Sequence, residues 1–196
     1  MVLSTAYFPP VEYFAVLAKY SSVFLDDREH YQKQSYRNRC HILTANGPEA
    51  LNFPIIHDGS KLITEVRVDY STPWLRRMEY ALDSAYYNSP FFEYYRDELF
   101  AVLDTRSERL WDLNLAVMEF LCRKIGLPVP QPLSSAAEQG SEDDSLMKIE
   151  IHPKVSSDYV GREYWQVFRE KFGFVRNMSV ADLLFNEGPE SLCYLK

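Results

Sequence analysis

The chain has 196 residues, of which 46% are hydrophobic and 15% aromatic, enough to bury the core of one compact domain. Its formal net charge of −7 argues against nucleic acid or an anionic membrane as a partner, because both require clustered Lys and Arg. Three separated cysteines, no long apolar run and no signal-peptide pattern predict a cytoplasmic protein with reduced thiols and no membrane span.

A β-α-β unit is predicted for the first 25 residues. Residues 2–7 form a short apolar run, residues 11–20 carry apolar side chains at helical spacing, and residues 23–25 form a second apolar run. In open α/β sheets, ligands bind beyond the carboxyl ends of the strands. The unit therefore predicts a binding region beside Asp26 and Asp27, which directly follow the second strand.

Short turns separate three further extended segments, at residues 39–43, 50–56 and 62–70. The last of them alternates between two kinds of side chain, as a half-buried strand does. Strands joined by short turns favour a meander attached to the β-α-β start. The predicted fold class is therefore α/β, of mixed α+β character, with a mixed sheet and a meander followed by a helical half.

The helical half begins after the third of these segments. Apolar residues at helical spacing indicate helices at residues 74–87, 91–103 and 107–125. Gly126 follows the last of them, which is where a helix prefers glycine.

A linker and a shorter C-terminal unit complete the chain. Residues 129–145 are rich in Pro, Ser and acidic side chains, a composition that predicts mobility. Residues 146–196 predict a strand, a helix over residues 164–172, and a last helix that begins at Ser179. We interpret residues 1–196 as one domain that contains this linker.

Residues 24–41 combine an acidic pair with several cations and aromatic residues. Arg37 and Arg39 would share one face of an extended chain, and their planar guanidinium groups suit phosphate or carboxylate. Asp26 or Asp27 could act as the base of a reaction beside them. The predicted site therefore has Asp26 and Asp27 as catalytic residues and, as ligand-binding residues, Tyr7, Tyr31, Lys33, Tyr36, Arg37, Asn38 and Arg39.

The same residues also have a structural interpretation. The arginines can pair with the protein's own carboxylates, of which there are 28, and the tyrosines can pack in the core. Cys40 lies between Arg39 and His41, which would activate a thiol, but a buried, inert thiol is the expected state. His30 is an alternative general base. The four histidines show no metal-ligand spacing, so no metal and no cofactor are expected.

Several stretches carry a family resemblance, and together they cover nearly the whole chain apart from the linker. They are YFPPVEYFAVL, VFLDD, YQKQSYRNRC, AYYNSPFFEYY, LNLAVMEFLCRKIGLP and NMSVADLLFNEGPE. With these motifs the chain resembles the WbqC-like family of bacterial proteins. The resemblance implies a role in bacterial surface-polysaccharide biosynthesis, as a glycine or aminoacyl transferase. The chain departs from the family where Ser4, Thr5 and Ala6 replace its frequent His-Gln-Pro.

Three hypotheses follow. The first is a transferase that holds an anionic or sugar-linked small molecule with Lys33, Arg37 and Arg39. The second is a non-catalytic module that binds a nucleotide-sugar or a partner protein, which the lack of a standard nucleophile-base motif favours. The third is that the charged segment is a structural ion-pair network. Convergence of the carboxylate and arginine side chains in one concave pocket would favour the enzyme. No oligomeric state is predicted.

Overall fold

The computed structural model describes residues 1–136, 146–155 and 157–196. In chain order its elements are β1 (Val2–Leu3), α1 (Val11–Lys19), β2 (Phe24–Leu25), β3 (Arg39–Thr44), β4 (Gly47–Asn52), α2 (Trp74–Tyr86), α3 (Phe92–Asp104), α4 (Leu110–Ile125), β5 (Gln131–Pro132), β6 (Lys148–Ile149), α5 (Arg169–Phe172), α6 (Val180–Glu187) and α7 (Ser191–Tyr194). The predicted α/β fold class is confirmed.

Four very short strands form a parallel sheet in the order β5-β2-β1-β6. β1 pairs with β2 on one side and with β6 on the other, and β2 also pairs with β5. The residues of β1 and β2 are buried, as expected for parallel strands that are covered on both faces. Helix α1 connects β1 to β2, so the predicted β-α-β start is confirmed.

The second sheet is a hairpin of β3 and β4, with Arg39 opposite Asn52 and Thr44 opposite Gly47. Its turn ends at Gly47, whose φ of +105° suits glycine because that residue has no Cβ. The predicted third strand over residues 62–70 is wrong. A turn interrupts it, where the Glu65 N–H donates to the Leu62 carbonyl at 2.9 Å.

Residues on the two sides of this turn pair with separate backbone partners and not with one neighbouring strand. Leu62 forms an isolated bridge with His30, and Val68 forms one with Ile55. Alternation in the sequence indicated an extended backbone but could not specify which chain segment would pair with it. The predicted meander is therefore replaced by a hairpin and isolated bridges.

Helices α2, α3 and α4 confirm the predicted helical half, and Gly126 ends α4 with a φ of +85°. Helix α6 is buried at every position from residue 180 to 186, which fits a helix that contacts α1, α3 and α4. At its start, the Ser179 hydroxyl accepts the Ala181 N–H at 3.2 Å. No helix in the described parts of the chain is both long and apolar enough to span a bilayer.

Two C-terminal predictions have different outcomes. The helix predicted over residues 164–172 forms only at α5, so the prediction is wrong for residues 164–168. In its first half the side chains of Tyr164 and Gln166 instead donate hydrogen bonds to Asp182, at 2.6 and 2.8 Å. Within the predicted linker, residues 129–136 contain β5 and a short 3-10 turn, and residues 137–145 lie outside the described residues.

Candidate functional site

The direction in which strands are added to the parallel sheet changes at β1. Helix α1 carries the chain from β1 to β2 on one side, whereas β6 is added on the other side. In open α/β sheets such a switch creates a crevice beyond the carboxyl ends of the strands, where ligands bind. Here the two strands at the switch are β1 and β6. Ser4 follows β1 and Glu150 follows β6 at this edge.

A cleft of about 540 Å³ opens at the carboxyl end of β6. A much smaller pocket of about 10 Å³, lined by Ser4, Tyr13 and Arg37, shares Tyr36 and Ile151 with it and so links it to the end of β1. The polar residues that line the cleft are Glu12, Tyr36, His41, Glu150, His152, Ser157, Asp158, Tyr159, Arg176 and Asn177.

Asn177 holds Glu12 at one wall of the cleft. The N-cap residue of α1 is Pro10, whose side chain makes no capping hydrogen bond. Asn177, with a φ of +55°, takes over this role: its Oδ1 accepts the Glu12 N–H at 2.9 Å and its Nδ2 donates to Glu12 Oε2 at 3.1 Å. One otherwise unpaired N–H of the helix start is thereby satisfied.

His41 and Tyr36 form a second wall. Their rings are 5.7 Å apart between centroids and meet edge to face. Burial, together with the nearby Arg39 charge, lowers the pKa of His41, because both disfavour the imidazolium ion. The ring is therefore neutral near pH 7 and able to accept a proton.

The tyrosines of the cleft, Tyr36 and Tyr159, remain protonated and are able to donate hydrogen bonds. Burial, with smaller contributions from Glu12 and Cys40, raises the pKa of Tyr36 to about 12. The pKa of Tyr159 is also raised by burial and by Glu12. The negative charge of the Glu12 carboxylate therefore opposes ionisation of both hydroxyl groups.

The charges of the cleft favour a ligand that carries a cation. Glu12, Glu150 and Asp158 contribute three carboxylates against the single guanidinium of Arg176. An amine bound there would gain favourable interactions, while an anion would be restricted to the neighbourhood of Arg176.

His152 adds a polar atom that no other part of the described chain satisfies. Its Nδ1 accepts the Lys154 N–H at 3.2 Å, so the ring proton lies on Nε2. That Nε2 is buried and has no hydrogen-bond partner among the described residues. No group of three or more His, Cys, Asp or Glu side chains in the described ranges has an arrangement that could hold a metal ion.

Arg37, predicted to bind a ligand, is buried and bonded within the chain. Its Nε donates to Glu29 Oε1 at 3.0 Å, Nη1 donates to Gln32 at 3.2 Å, and Nη2 donates to the Ser4 hydroxyl at 3.1 Å and to Glu29 Oε2. The backbone carbonyl of Arg37 accepts from Asn114 at 2.9 Å. The arrangement matches the structural interpretation of the charged segment.

Asp26 and Asp27, predicted as catalytic residues, contact different parts of the chain. Asp26 is buried, accepts the Arg28 N–H at 3.1 Å and pairs with Lys148 at 2.7 Å. Asp27 accepts the Ser134 N–H at 3.1 Å. Neither residue lines the cleft, and their catalytic assignment stays a prediction.

The other predicted residues are divided between the core and a separate surface. Tyr7 is buried, and its hydroxyl has no partner among the described residues. Tyr31 donates to Asn38 at 3.1 Å, and Asn38 donates to the Phe53 carbonyl at 2.7 Å. Arg39 has a buried Nε without a partner in the described chain.

Only Tyr36, of the nine predicted site residues, lines the cleft. Lys33 lies with Tyr31 in an open depression elsewhere. The cleft residues after β6 were missed. The rule that pointed to Asp26 and Asp27 applies equally to His152, which follows the strand predicted over residues 147–151, whereas Glu150 lay inside that predicted strand. Glu12 and Asn177 left no comparable signal, because they come together across 165 residues.

Comparison with known proteins identifies the family. The family model described as the WbqC-like protein family matches residues 5–160, well over half of the chain. The chain belongs to the WbqC-like protein family. The match includes α1, the charged segment and the cleft residues up to Val160, whereas Arg176 and Asn177 lie beyond its end.

This WbqC-like chain is also similar to a protein of Mycobacterium tuberculosis (strain ATCC 25618 / H37Rv) named "Uncharacterized protein Rv1507c". The two are 24% identical over 226 aligned residues, which cover all of this chain and 96% of the relative. No solved structure matches the chain.

Proposed function

We propose that the protein is a transferase that moves a small acyl or aminoacyl group onto an amine in bacterial surface-polysaccharide biosynthesis, with the cleft as its active site. One observation carries the proposal: a neutral imidazole, that of His41, lines a cleft at the carboxyl end of β6 together with three carboxylates. The family resemblance supplies the pathway and the type of group transferred.

The residues of the cleft suit the steps of acyl transfer. Glu12, Glu150 and Asp158 hold the acceptor as an ammonium ion, which releases one proton to the solvent and so becomes the amine nucleophile. His41 takes a proton from the amine as its nitrogen attacks the acyl carbonyl. The Tyr36 hydroxyl donates a hydrogen bond to the developing oxyanion. When the carbonyl re-forms, the donor's leaving group departs and accepts the proton from His41.

A non-catalytic binding module is the second candidate. Among the described residues, no hydroxyl or thiol forms a hydrogen bond with the His41 ring, so no nucleophile-base pair is assembled there. Burial also raises the pKa of the Cys40 thiol, which keeps it protonated and unreactive. Both observations are compatible with direct transfer to a bound amine and with binding alone.

Product formation distinguishes the two candidates. The protein would be incubated with glycyl and acetyl thioesters and a set of amino-sugar nucleotides, and mass spectrometry would detect acylated acceptors. We expect a product with the wild type, loss of the product with His41→Gln, and weaker acceptor binding with Glu12→Gln. Glu108→Gln is the matched control, since Glu108 forms an exposed pair with Arg67.

Two outcomes would count against the transferase. An amino-sugar that binds with Glu12-dependent affinity but is never acylated would favour the binding module. Equal product formation by the wild type and His41→Gln would show that His41 is not the base. Circular dichroism of each variant would verify that the fold is retained.

A further inference from the structure

Outside the cleft, the structure contains a depression of about 480 Å³ whose lining includes several basic side chains and no acidic one. We propose that this basic depression binds a phosphate-bearing small molecule. Its polar lining residues are His30, Tyr31, Lys33, His57, Ser60 and Lys61. It shares no lining residue with the cleft, so this inference does not rest on the proposed function.

Backbone pairing sets the two sides of the basic depression against each other. The Tyr31 N–H donates to the Lys61 carbonyl at 2.8 Å, and the Ile63 N–H donates to the Glu29 carbonyl at 2.9 Å. Between these bonds His30 and Leu62 form an antiparallel bridge. Lys33 and Lys61, which are 28 positions apart in the sequence, are thereby brought to one surface.

The two lysines have no counter-charge of their own. No carboxylate in the described part of the chain forms an ion pair with Lys33 or Lys61. Of the acids nearest in sequence, Glu29 is buried against Arg37. The Asp58 carboxylate lies beside the depression, where it accepts the Ser60 N–H at 3.0 Å and forms no ion pair with either lysine. In a chain with a net charge of −7, such a local excess of cations attracts an anion.

The chemistry of the lining favours phosphate. Two ammonium groups are compact charges that suit a multiply charged anion, and imidazole and hydroxyl groups can add hydrogen bonds. The Tyr31 hydroxyl already donates to Asn38 at 3.1 Å, so the lysines are the principal ligands. The lining also includes the apolar residues Ile55 and Ile56, which can contact an attached organic group.

Calorimetric titration at low salt tests the site. The probes are pyrophosphate, inorganic phosphate and uridine diphosphate, with the intact chain. We expect pyrophosphate to bind the wild type and to bind Lys33→Gln/Lys61→Gln at least ~10-fold more weakly, with affinity that falls as salt rises. Lys19→Gln/Lys196→Gln is the matched control, because it removes the same charge at two exposed positions outside the depression and should retain the affinity.

The remaining arms identify the source of the phosphate and the outcomes that overturn the site. Tighter binding of uridine diphosphate than of pyrophosphate would support a nucleotide ligand, and equal binding would support recognition of the phosphates alone. The proposal would be overturned if the wild type did not bind pyrophosphate at millimolar concentration. It would also be overturned if both double variants lost the same amount of affinity for pyrophosphate. His41→Gln should leave pyrophosphate binding unchanged, which separates failure here from failure of the proposed transferase.

Discussion

Lys33 and Arg37 lie four residues apart in the same charged segment, yet they occupy opposite environments. Arg37 is 7% exposed and bonds to Glu29, Gln32 and Ser4. Lys33 is exposed and lines the basic depression, which has no acidic residue among its described lining residues. Formal charge in a sequence therefore does not reveal whether a cation is available to a ligand.

The difference has a physical cause. A guanidinium group presents several N–H donors in a fixed plane, so it can be buried where a carboxylate and neutral oxygens accept them together. An ammonium group is a strongly hydrated point charge and remains at the surface unless it is paired. Arg37 therefore uses its positive charge within the structure, whereas the charge of Lys33 remains available to a ligand.

Removing the partner of the buried cation should have the largest effect. Glu29→Gln leaves Arg37 buried without a countercharge, and we expect the free energy of unfolding to fall by ~3–5 kcal/mol. Urea unfolding monitored by circular dichroism measures it. The control is Glu108→Gln, which breaks the exposed pair with Arg67 and should cost about 0–1 kcal/mol. Similar losses of unfolding free energy in the two variants would show that burial does not increase the cost of breaking the Glu29–Arg37 pair.

Asp182 is a buried carboxyl group like Glu29, but its hydrogen-bond partners are neutral. It accepts from Tyr164 and Gln166, and burial raises its pKa above the usual value in spite of these bonds. The folded state therefore holds the proton more tightly than the unfolded state does. The resulting stability is complete below the unfolded pKa and is lost as pH rises through the folded pKa.

The matched variant for this effect is Asp182→Asn, which cannot titrate. Unfolding free energies measured from about pH 4 upward should show the stability of the wild type relative to the variant falling as pH increases. A constant difference across the titration would contradict the raised pKa.

Asn177 tests whether a polar side chain of the cleft is structural, like Arg37. Asn177→Gly keeps a residue that tolerates the φ of +55° but removes both hydrogen bonds to Glu12. We expect a loss of ~1 kcal/mol in unfolding free energy. Thermal unfolding monitored by calorimetry measures the change. A variant as stable as the wild type would mean that Asn177 contributes no net stability at the start of α1.

The smallest effect is expected at the basic depression. Lys33→Gln and Lys61→Gln should each change the unfolding free energy by no more than ~0.5 kcal/mol, because neither lysine has an ion-pair partner in the described chain. Urea unfolding of the two single variants provides the measurement. A loss above ~1 kcal/mol would place these lysines in the structural class with Arg37.

Much of the local structure could be predicted from the sequence. The β-α-β start, the three long helices, the stop at Gly126 and the family all follow from patterns within short stretches. Helical spacing, apolar runs and turn residues act over a few positions, so their signal is present before the chain folds. The alternation over residues 62–70 was such a signal too, but it indicated only an extended backbone and not its partners.

Only the tertiary structure decided which polar groups meet. Asp26 pairs with Lys148 across 122 residues, Asn177 caps the helix at Glu12 across 165, and Arg37 bonds to Ser4 across 33. No spacing rule relates residues so far apart, because their contacts depend on how strands and helices pack. The sequence alone therefore determined the β-α-β start, the long helices and the family of this protein, whereas packing decided which charges are neutralised inside and which line the cleft or the basic depression.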